Sequence, residues 1–282
     1  MIKAGAARQA ARRQLAQAGI SEAEREATLL TAYLAGVEPG QLALHLAAPV
    51  EEARFHALLA RRLQGQPLQY VLGEAGFMGL TFQVGAQVLI PRADTEIIAE
   101  KAIALLKAAP APLIADIGVG SGALAVSLAY HLPSAKVHGV DISSDALVWA
   151  EKNARQNGVA GRCHFYQGDL LAPLLAQGLS FDMIVSNPPY ITSAELKYLP
   201  AEVRQEPIIA LAGGVDGLDF YRRLAQEAAP LLKPHGWLLL EHGWQQQEQV
   251  AALLTQAGWQ IKERLRDYGG RARGVLGCVN ST

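Results

Sequence analysis

The chain has 282 residues, of which 50% are hydrophobic and 18% are charged, and its formal net charge is −1. This composition excludes an intrinsically disordered chain, and the absence of a long basic run argues against a duplex nucleic acid as the substrate. The sequence has no run of about eighteen apolar residues, no signal-peptide core and only two distant cysteines, Cys163 and Cys278. We therefore expect a cytoplasmic protein with reduced thiols. No Cys/His cluster has the spacing of a zinc site, so no metal is predicted.

The first 75 residues are rich in Ala, Leu, Gln and Arg and have helical periodicity, which predicts a small bundle of four or five helices. Residues 21–24 (Ser-Glu-Ala-Glu) have the form of a capping box at the start of one helix. We expect the arginines of this region on solvated helix faces, with a docking surface for a large partner as the alternative; they are Arg8, Arg12, Arg13, Arg61 and Arg62.

Residues 73–90 contain glycines and alternating apolar residues, which predicts a β-hairpin. From residue 113 onward, strands alternate with helices, so a parallel sheet with right-handed crossovers is expected. A helix is predicted over 144–156, because Asn157 and Gly158 are typical helix-ending residues. A strand is predicted over 237–241, and residues 259–263 and 273–279 are expected to form a closing antiparallel pair.

A glycine-rich turn lies at residues 116–122 (Asp-Ile-Gly-Val-Gly-Ser-Gly), between a predicted strand and a predicted helix. This arrangement is typical of nucleotide binding. The Gly-x-Gly-x-Gly spacing differs from the dinucleotide pattern, and no P-loop lysine follows. The next two predicted strands end in Asp141 and in Gly168-Asp169, and Asp141 is placed to accept hydrogen bonds from ribose hydroxyls.

The sequence Asn187-Pro188-Pro189-Tyr190 follows an apolar run at 181–186, so it forms a turn at the carboxyl end of a buried strand. The Asn187 amide oxygen and the Pro188 carbonyl are suited to accept hydrogen bonds from a planar –NH2 group, and Tyr190 offers an aromatic face. In chain order, these features describe a nucleoside site beside an amide-recognition site.

This ordered set resembles a class I S-adenosylmethionine-dependent methyltransferase of the amino-methylating kind. Further stretches resemble the peptide chain release factor glutamine methyltransferase family over nearly the whole chain; they are residues 66–73, 89–96, 206–218, 240–246 and 266–269. Two positions depart from the family pattern. Ala93 stands where the family usually has proline, and Leu170 where it often has an aromatic residue.

The resemblance implies an α/β fold of the class I methyltransferase type, which is Rossmann-like with a mostly parallel seven-stranded sheet. It also implies a small N-terminal helical bundle joined by a β-hairpin linker. The expected domains are a substrate-docking domain at 1–75, the linker at 76–92 and the methyltransferase domain at 93–282.

The implied activity is methyl transfer from S-adenosylmethionine to the side-chain nitrogen of the glutamine in the Gly-Gly-Gln motif of class I release factors, without metal, stable nucleic acid or membrane. Expected catalytic residues are Asn187, Pro188 and Tyr190. Expected cofactor-binding residues are Gly118, Val119, Gly120, Ser121, Gly122, Asp141, Asp169, Leu170 and Asn187. Expected substrate-binding residues are Asn187, Pro188, Pro189, Tyr190, Phe77, Arg92, Thr95 and Glu96.

Two further residues near the predicted site are not expected to react. Glu241, at a strand end, is expected to be structural, and His242 has no nucleophile beside it in the sequence. Three alternatives remain open. They are a ribosomal-protein glutamine methyltransferase, a nucleic-acid methyltransferase acting on adenine N6 or guanine N2, and a nucleoside-binding module without catalysis.

Overall fold

A computed structural model describes residues 1–279, which form two units. The first unit comprises Met1–Glu74 together with Pro200–Gln205. The second comprises Ala75–Leu199 and the chain from Glu206 onward. The last three residues of the predicted methyltransferase domain, 280–282, lie outside the described residues.

The first unit is a helical bundle with one short antiparallel strand pair, β1 (Ile2–Lys3) with β2 (Pro49–Val50). Its α-helices are α1 (Ala4–Gln17), α2 (Ala23–Ala35), α3 (Glu52–Leu63) and α4 (Leu68–Leu72), with short 3-10 helices at Pro39–Leu44 and Val203–Gln205. Small apolar residues recur along α1 at three- and four-residue spacing, and Ala4, Ala7, Ala11 and Leu15 are all buried. This face packs with α2 and α3 into an apolar core.

Two predictions for this unit are wrong. The capping box at 21–24 does not form, because α2 begins at Ala23 after Glu22 without a side-chain cap. The Glu24 side chain instead pairs with Arg8 and Arg12.

Arg62, expected on a solvated face, has a side chain that is only 2% exposed. Its guanidinium contacts Glu26 and Glu202, each at 2.6 Å. Gln205 Nε2 also donates to the Gly65 carbonyl at 2.7 Å. These contacts explain why Pro200–Gln205 belongs to the helical unit.

The second unit begins with a two-stranded sheet and then builds a seven-stranded sheet between helices. The first pair is β3 (Glu74–Phe77) with β4 (Leu80–Gln83), which lies within the predicted hairpin stretch. The strands of the large sheet are β5 (Leu113–Ile117), β6 (Lys136–Asp141), β7 (Cys163–Gln167), β8 (Phe181–Ser186), β9 (Leu232–Glu241), β10 (Trp259–Arg266) and β11 (Ala272–Val279). The helices are α5 (Ala93–Leu106), α6 (Ala123–His131), α7 (Ser144–Gln156), α8 (Ala172–Leu175), α9 (Asp219–Glu227) and α10 (Gln247–Gln256). Short 3-10 helices lie at Ala160–Arg162, Glu195–Tyr198, Ile208–Ala210 and Ala229–Leu231.

The strand order of the large sheet is β10-β11-β9-β8-β5-β6-β7, and β11 runs antiparallel to both of its neighbours. The parallel sheet, the helix at 144–156 and the closing antiparallel pair are therefore confirmed. Strand β9 starts at Leu232, five residues before the predicted beginning at 237. Pro234 and Gly236 interrupt the sequence pattern, but Leu232 still pairs with Phe181 of β8.

The chain leaves the central strand β5 for β6 on one side and later returns to β8 on the other. This reversal opens a crevice at the carboxyl ends of the strands, where open α/β sheets bind ligands. Register brings Ile117 level with Val140 on one neighbour and with Ser186 on the other. The residues that follow β5, β6 and β8 therefore gather at one edge. Among residues 1–279, no helix combines the length and apolar character that a membrane span requires.

Candidate active site

The glycine turn after β5 is an open backbone surface at the crevice. Gly118 and Gly120 have φ of 76° and 54°, a region that favours glycine. A Cβ added at either residue would meet no heavy atom within 4 Å in the described chain, so the space beside the turn is available to a ligand. The turn is held by the Val140 carbonyl, which accepts from the backbone nitrogens of Gly118 at 2.8 Å and Val119 at 3.0 Å.

Asp116, near the end of β5, has one engaged and one unengaged carboxylate oxygen. Its Oδ2 accepts from the backbone nitrogen of Ala125 at 2.9 Å. Its Oδ1 is buried and has no hydrogen-bond partner within the described residues. Burial raises the pKa of Asp116 to about 7, against the effect of the Ala125 hydrogen bond, and the nearby Asp141 raises it further. Such an oxygen is a strong acceptor site for a ligand cation or donor.

Asp141, the last residue of β6, joins the glycine turn to the segment before α7. Its Oδ2 accepts from the Gly120 nitrogen at 2.8 Å and its Oδ1 from the Ser143 nitrogen at 2.9 Å. Burial raises the pKa of Asp141 although both hydrogen bonds oppose that shift. The Ile142 backbone also donates to this carboxylate. A carboxylate has about four lone-pair sites, so these three donors leave acceptor capacity for a hydroxyl group in the crevice.

The segment after β7 provides a charged and an apolar element. Asp169 forms a half-exposed ion pair with Arg223 of α9, at 2.9 Å. Leu170 has a φ of 48°, which is unusual for a residue with a side chain, and is only 8% exposed. The strained backbone directs an apolar residue into the crevice wall.

The turn after β8 starts at the same edge. Asn187 is partly buried and its Nδ2 donates to Thr95 Oγ1 at 3.1 Å. Pro188 is buried. Tyr190 is packed against the apolar core beyond the turn, and its carbonyl accepts from Gln246 Nε2 at 3.1 Å. Burial raises the pKa of Tyr190 to about 12, with the nearby Glu241 adding to the rise, so its phenol stays protonated at neutral pH.

The residues before α5 close the crevice from the hairpin side. Arg92 pairs with the buried carboxylate of Glu206, whose other oxygen accepts from the Ile90 nitrogen at 3.1 Å. Glu96 points to the hairpin, where its Oε1 accepts from the Met78 nitrogen at 2.7 Å.

Most of these groups line one cavity of about 390 Å³. The predicted site residues that line it are Phe77, Arg92, Thr95, Gly118, Val119, Gly120, Ser121, Asp141, Asp169, Leu170, Asn187, Pro188 and Pro189. Gly122, Tyr190 and Glu96 are not among its lining residues.

Sequence reasoning did not include Asp116, Glu206 or Arg223 in the site. Asp116 had a signal, an acidic residue directly before the glycine turn. The other two enter through contacts that are distant in sequence, Glu206 with Arg92 and Arg223 with Asp169.

The fold and this site define a class I methyltransferase. A methyltransferase-domain family matches residues 113–271, and a family described as PrmC N-terminal domain matches residues 6–73. Solved structures share the fold. A ribosomal protein L11 methylase from Lactobacillus delbrueckii subsp. bulgaricus is 22% identical with a TM-score of 0.50, covering 67% of this chain and 79% of its own. A methyltransferase from Pyrococcus furiosus is 19% identical with a TM-score of 0.50, covering 71% and 88%.

Curated relatives are similar over nearly the full length. The release factor glutamine methyltransferase of Moorella thermoacetica is 45% identical over 94% of this chain and 94% of its own. That of Geobacter sulfurreducens is 44% identical over 94% and 93%. The chain belongs to the release factor glutamine methyltransferase family.

Proposed function

We propose that this protein transfers a methyl group from S-adenosylmethionine to the side-chain amide nitrogen of glutamine in the Gly-Gly-Gln motif of class I peptide chain release factors, in the cytoplasm where these factors act. The observation that carries the proposal is the 45% identity over 94% of both chains to a protein named release factor glutamine methyltransferase. The cavity supports it, because a glycine turn with acidic groups and an amide-accepting turn line the same space.

The residues at the glycine turn fit S-adenosylmethionine, which supplies an electrophilic sulfonium methyl group when bound. The buried Asp116 Oδ1, which has no hydrogen-bond partner within residues 1–279, is suited to the amino group of its methionine part. Asp141 is suited to the ribose hydroxyls. Leu170 supplies an apolar wall for the adenine, and the open side of Gly118 and Gly120 lets the ligand approach the backbone.

Asn187 and Pro188 would hold the glutamine of the acceptor. A carboxamide nitrogen is a poor nucleophile, because its lone pair is delocalised into the carbonyl. Asn187 Oδ1 and the Pro188 carbonyl would each accept a hydrogen bond from one of its two N–H groups. These bonds would fix the nitrogen toward the methyl donor and favour its pyramidalisation. Proximity and orientation contribute up to about 7–11 kcal/mol in favourable systems, so this clamp is a sufficient mechanism. The proton leaves after transfer, so no strong base is required.

We also propose that Phe77, Arg92, Thr95 and Glu96 shape the entrance for the acceptor. Glu96 would do so indirectly, because it accepts a hydrogen bond from Met78 of the hairpin. The helical unit is proposed to dock the body of the release factor. Arg13 is an exposed residue of α1 in that unit. If docking occurs there, intact release factor should be methylated at a lower KM than a short Gly-Gly-Gln peptide, and Arg13→Glu should change the KM for the intact factor alone.

Side-by-side transfer of labelled methyl to a purified release factor, to ribosomal protein and to nucleic acid tests the main proposal. We expect label in the release factor only, and one added methyl group on the nitrogen of the Gly-Gly-Gln glutamine by mass spectrometry. Label in another acceptor with an unmodified Gly-Gly-Gln peptide would overturn the proposed substrate.

Asn187→Ala provides the residue-level test. It should lower transfer at least about a hundredfold while cofactor affinity is retained, since it removes a contact aimed at the reacting nitrogen. Gln249→Ala, which removes an exposed carboxamide of α10 that does not line the cavity, is the matched control and should transfer normally.

A further inference from the structure

A buried hydrogen-bonded chain lies behind Asn187. Asn187 Nδ2 donates to Thr95 Oγ1 at 3.1 Å, and Thr95 is only 4% exposed in the first turn of α5. Thr95 also lies beside the carboxyl group of Glu241, at the end of β9, and hydrogen bonding from the Thr95 side chain lowers the pKa of that carboxyl group. Glu241 is 1% exposed, and its Oε2 has no partner among the described residues.

The number of protons shared by Asn187, Thr95 and Glu241 decides which way the Asn187 amide faces. A threonine hydroxyl has one proton, and an ionised carboxylate only accepts. The buried carboxylate is the stronger acceptor, so the Thr95 proton goes to Glu241. The Thr95 oxygen can then only accept from Asn187, which must present its –NH2 group to Thr95. The amide atom left for the cavity is Oδ1, the atom that a glutamine –NH2 group requires.

We propose that Thr95 and Glu241 are positioning residues that hold the Asn187 amide with Oδ1 toward the acceptor, so that a donor –NH2 group is recognised. This inference rests on the proposed function. A flipped Asn187 would present its own –NH2 group to the acceptor nitrogen, and two donors would then face each other. Glu241 thus acts on the reaction through two intervening groups, Thr95 and Asn187, and is not among the residues that line the cavity.

The surroundings of Glu241 make the arrangement dependent on pH. Burial raises the pKa of Glu241 to about 7, against the Thr95 hydrogen bond and the Arg273 charge. The titratable and charged groups around it are Arg273 of β11, Asp94 and Arg92 at the start of α5, Tyr190 after β8, Tyr221 of α9 and the adjacent His242. Arg273 is itself held by Asp94 at 2.8 Å and Asp267 at 3.1 Å.

Protonation of Glu241 would allow the Asn187 amide to flip. A protonated Glu241 can donate to Thr95, and the Thr95 proton is then able to turn to Asn187 and stabilise the flipped amide. Turnover at saturating cofactor and acceptor should therefore fall as the pH decreases through about 7. Saturation with cofactor keeps the titration of Asp116 out of this measurement.

Thr95→Val, which removes the hydroxyl at nearly constant volume, is the first test. We expect turnover to fall about ten- to hundredfold, the scale of a mispaired buried polar group, with unchanged cofactor affinity. Thr95→Ser should restore turnover to within about threefold of the wild type, since it keeps the hydroxyl. Thr31→Val is the matched control, because Thr31 is a buried threonine in α2 whose hydroxyl has no partner within the described chain.

Glu241→Gln is the second test and does not depend on the folding of the Thr95 variants. We expect the decrease of turnover near pH 7 to disappear in this variant. The inference is overturned if Thr95→Val turns over like the wild type, or if the pH dependence persists unchanged in Glu241→Gln. Both results presuppose a wild-type protein that methylates release factor, whereas failure of the proposed function would appear as a wild-type protein that does not.

Discussion

The backbone nitrogen of Gly120 donates a 2.8 Å hydrogen bond to Oδ2 of Asp141, so the end of β6 holds the glycine turn that follows β5. One carboxylate therefore has two tasks. It fixes the shape of the turn, and it offers its remaining lone pairs to the crevice. Loss of the charge affects both tasks at once.

Asp141→Ala should weaken S-adenosylmethionine binding by about 1–3 kcal/mol, the scale of a lost charge-assisted hydrogen bond. Isothermal titration calorimetry measures the effect. Asp145→Ala, an exposed residue of the first turn of α7 that does not line the cavity, should bind like the wild type. Unchanged affinity in the Asp141 variant would remove this residue from the site.

Cofactor affinity should depend on pH through Asp116. Its pKa of about 7 in the ligand-free protein means that it is protonated below that pH. An ammonium group of the ligand favours the ionised form, so binding must expel the proton at lower pH. Affinity should then rise with pH up to about 7, by at most about tenfold per pH unit for one proton. Asp116→Asn should bind weakly without this slope. A slope that survives in the variant would assign the titration to another group.

The ring and the hydroxyl of Tyr190 should differ in importance. Tyr190→Phe keeps the packing against the core, so turnover within about threefold of the wild type is expected and stability should change by less than about 1 kcal/mol. Tyr190→Ala removes a partly buried ring and should cost about 2 kcal/mol of stability as well as turnover. Denaturation and steady-state kinetics of both variants measure these effects. A large loss of turnover in the Phe variant would instead indicate a direct role for the hydroxyl.

Arg62→Met should destabilise the helical unit by about 3 kcal/mol, because it leaves Glu26 without its buried partner. All four tryptophans, Trp149, Trp237, Trp244 and Trp259, lie in the second unit. Urea unfolding followed by both circular dichroism and tryptophan fluorescence therefore distinguishes the units, and we expect the earlier transition in circular dichroism.

Arg12→Met is the matched control for this prediction. Arg12 also pairs with a glutamate, but its side chain is 58% exposed, so a change of less than about 0.5 kcal/mol is expected. Equal midpoints for the two variants would show that the buried pair contributes no more than the exposed one.

Local patterns predicted the central elements of the fold well. The strand Phe181–Ser186 and the helix Ser144–Gln156 were placed correctly, because a continuous apolar run and a clear ending signal are both contained in neighbouring residues. The capping box at 21–24 was wrong, since the helix begins at Ala23 with Glu22 as its N-cap residue and the Glu24 side chain pairs with Arg8 instead.

The contacts inside the candidate site could not be predicted from the sequence in the same way. Thr95 and Asn187 are 92 residues apart, and Asp169 and Arg223 are 54 apart. Hydrogen bonds and ion pairs of this kind depend on which strand ends meet, and periodicity carries no information about them. For the same reason Arg62 resembled any other arginine on an amphipathic helix, and only the folded chain brings Glu26 and Glu202 to it.

The inclusion of Pro200–Gln205 in the helical unit has a consequence for protein engineering. No single cut in the chain releases this unit whole. A fragment that ends at residue 74 would lack Glu202 and the Gln205 side chain that bonds Gly65. Exchange of the helical unit between relatives therefore requires two segments to be replaced together, Met1–Glu74 and Pro200–Gln205.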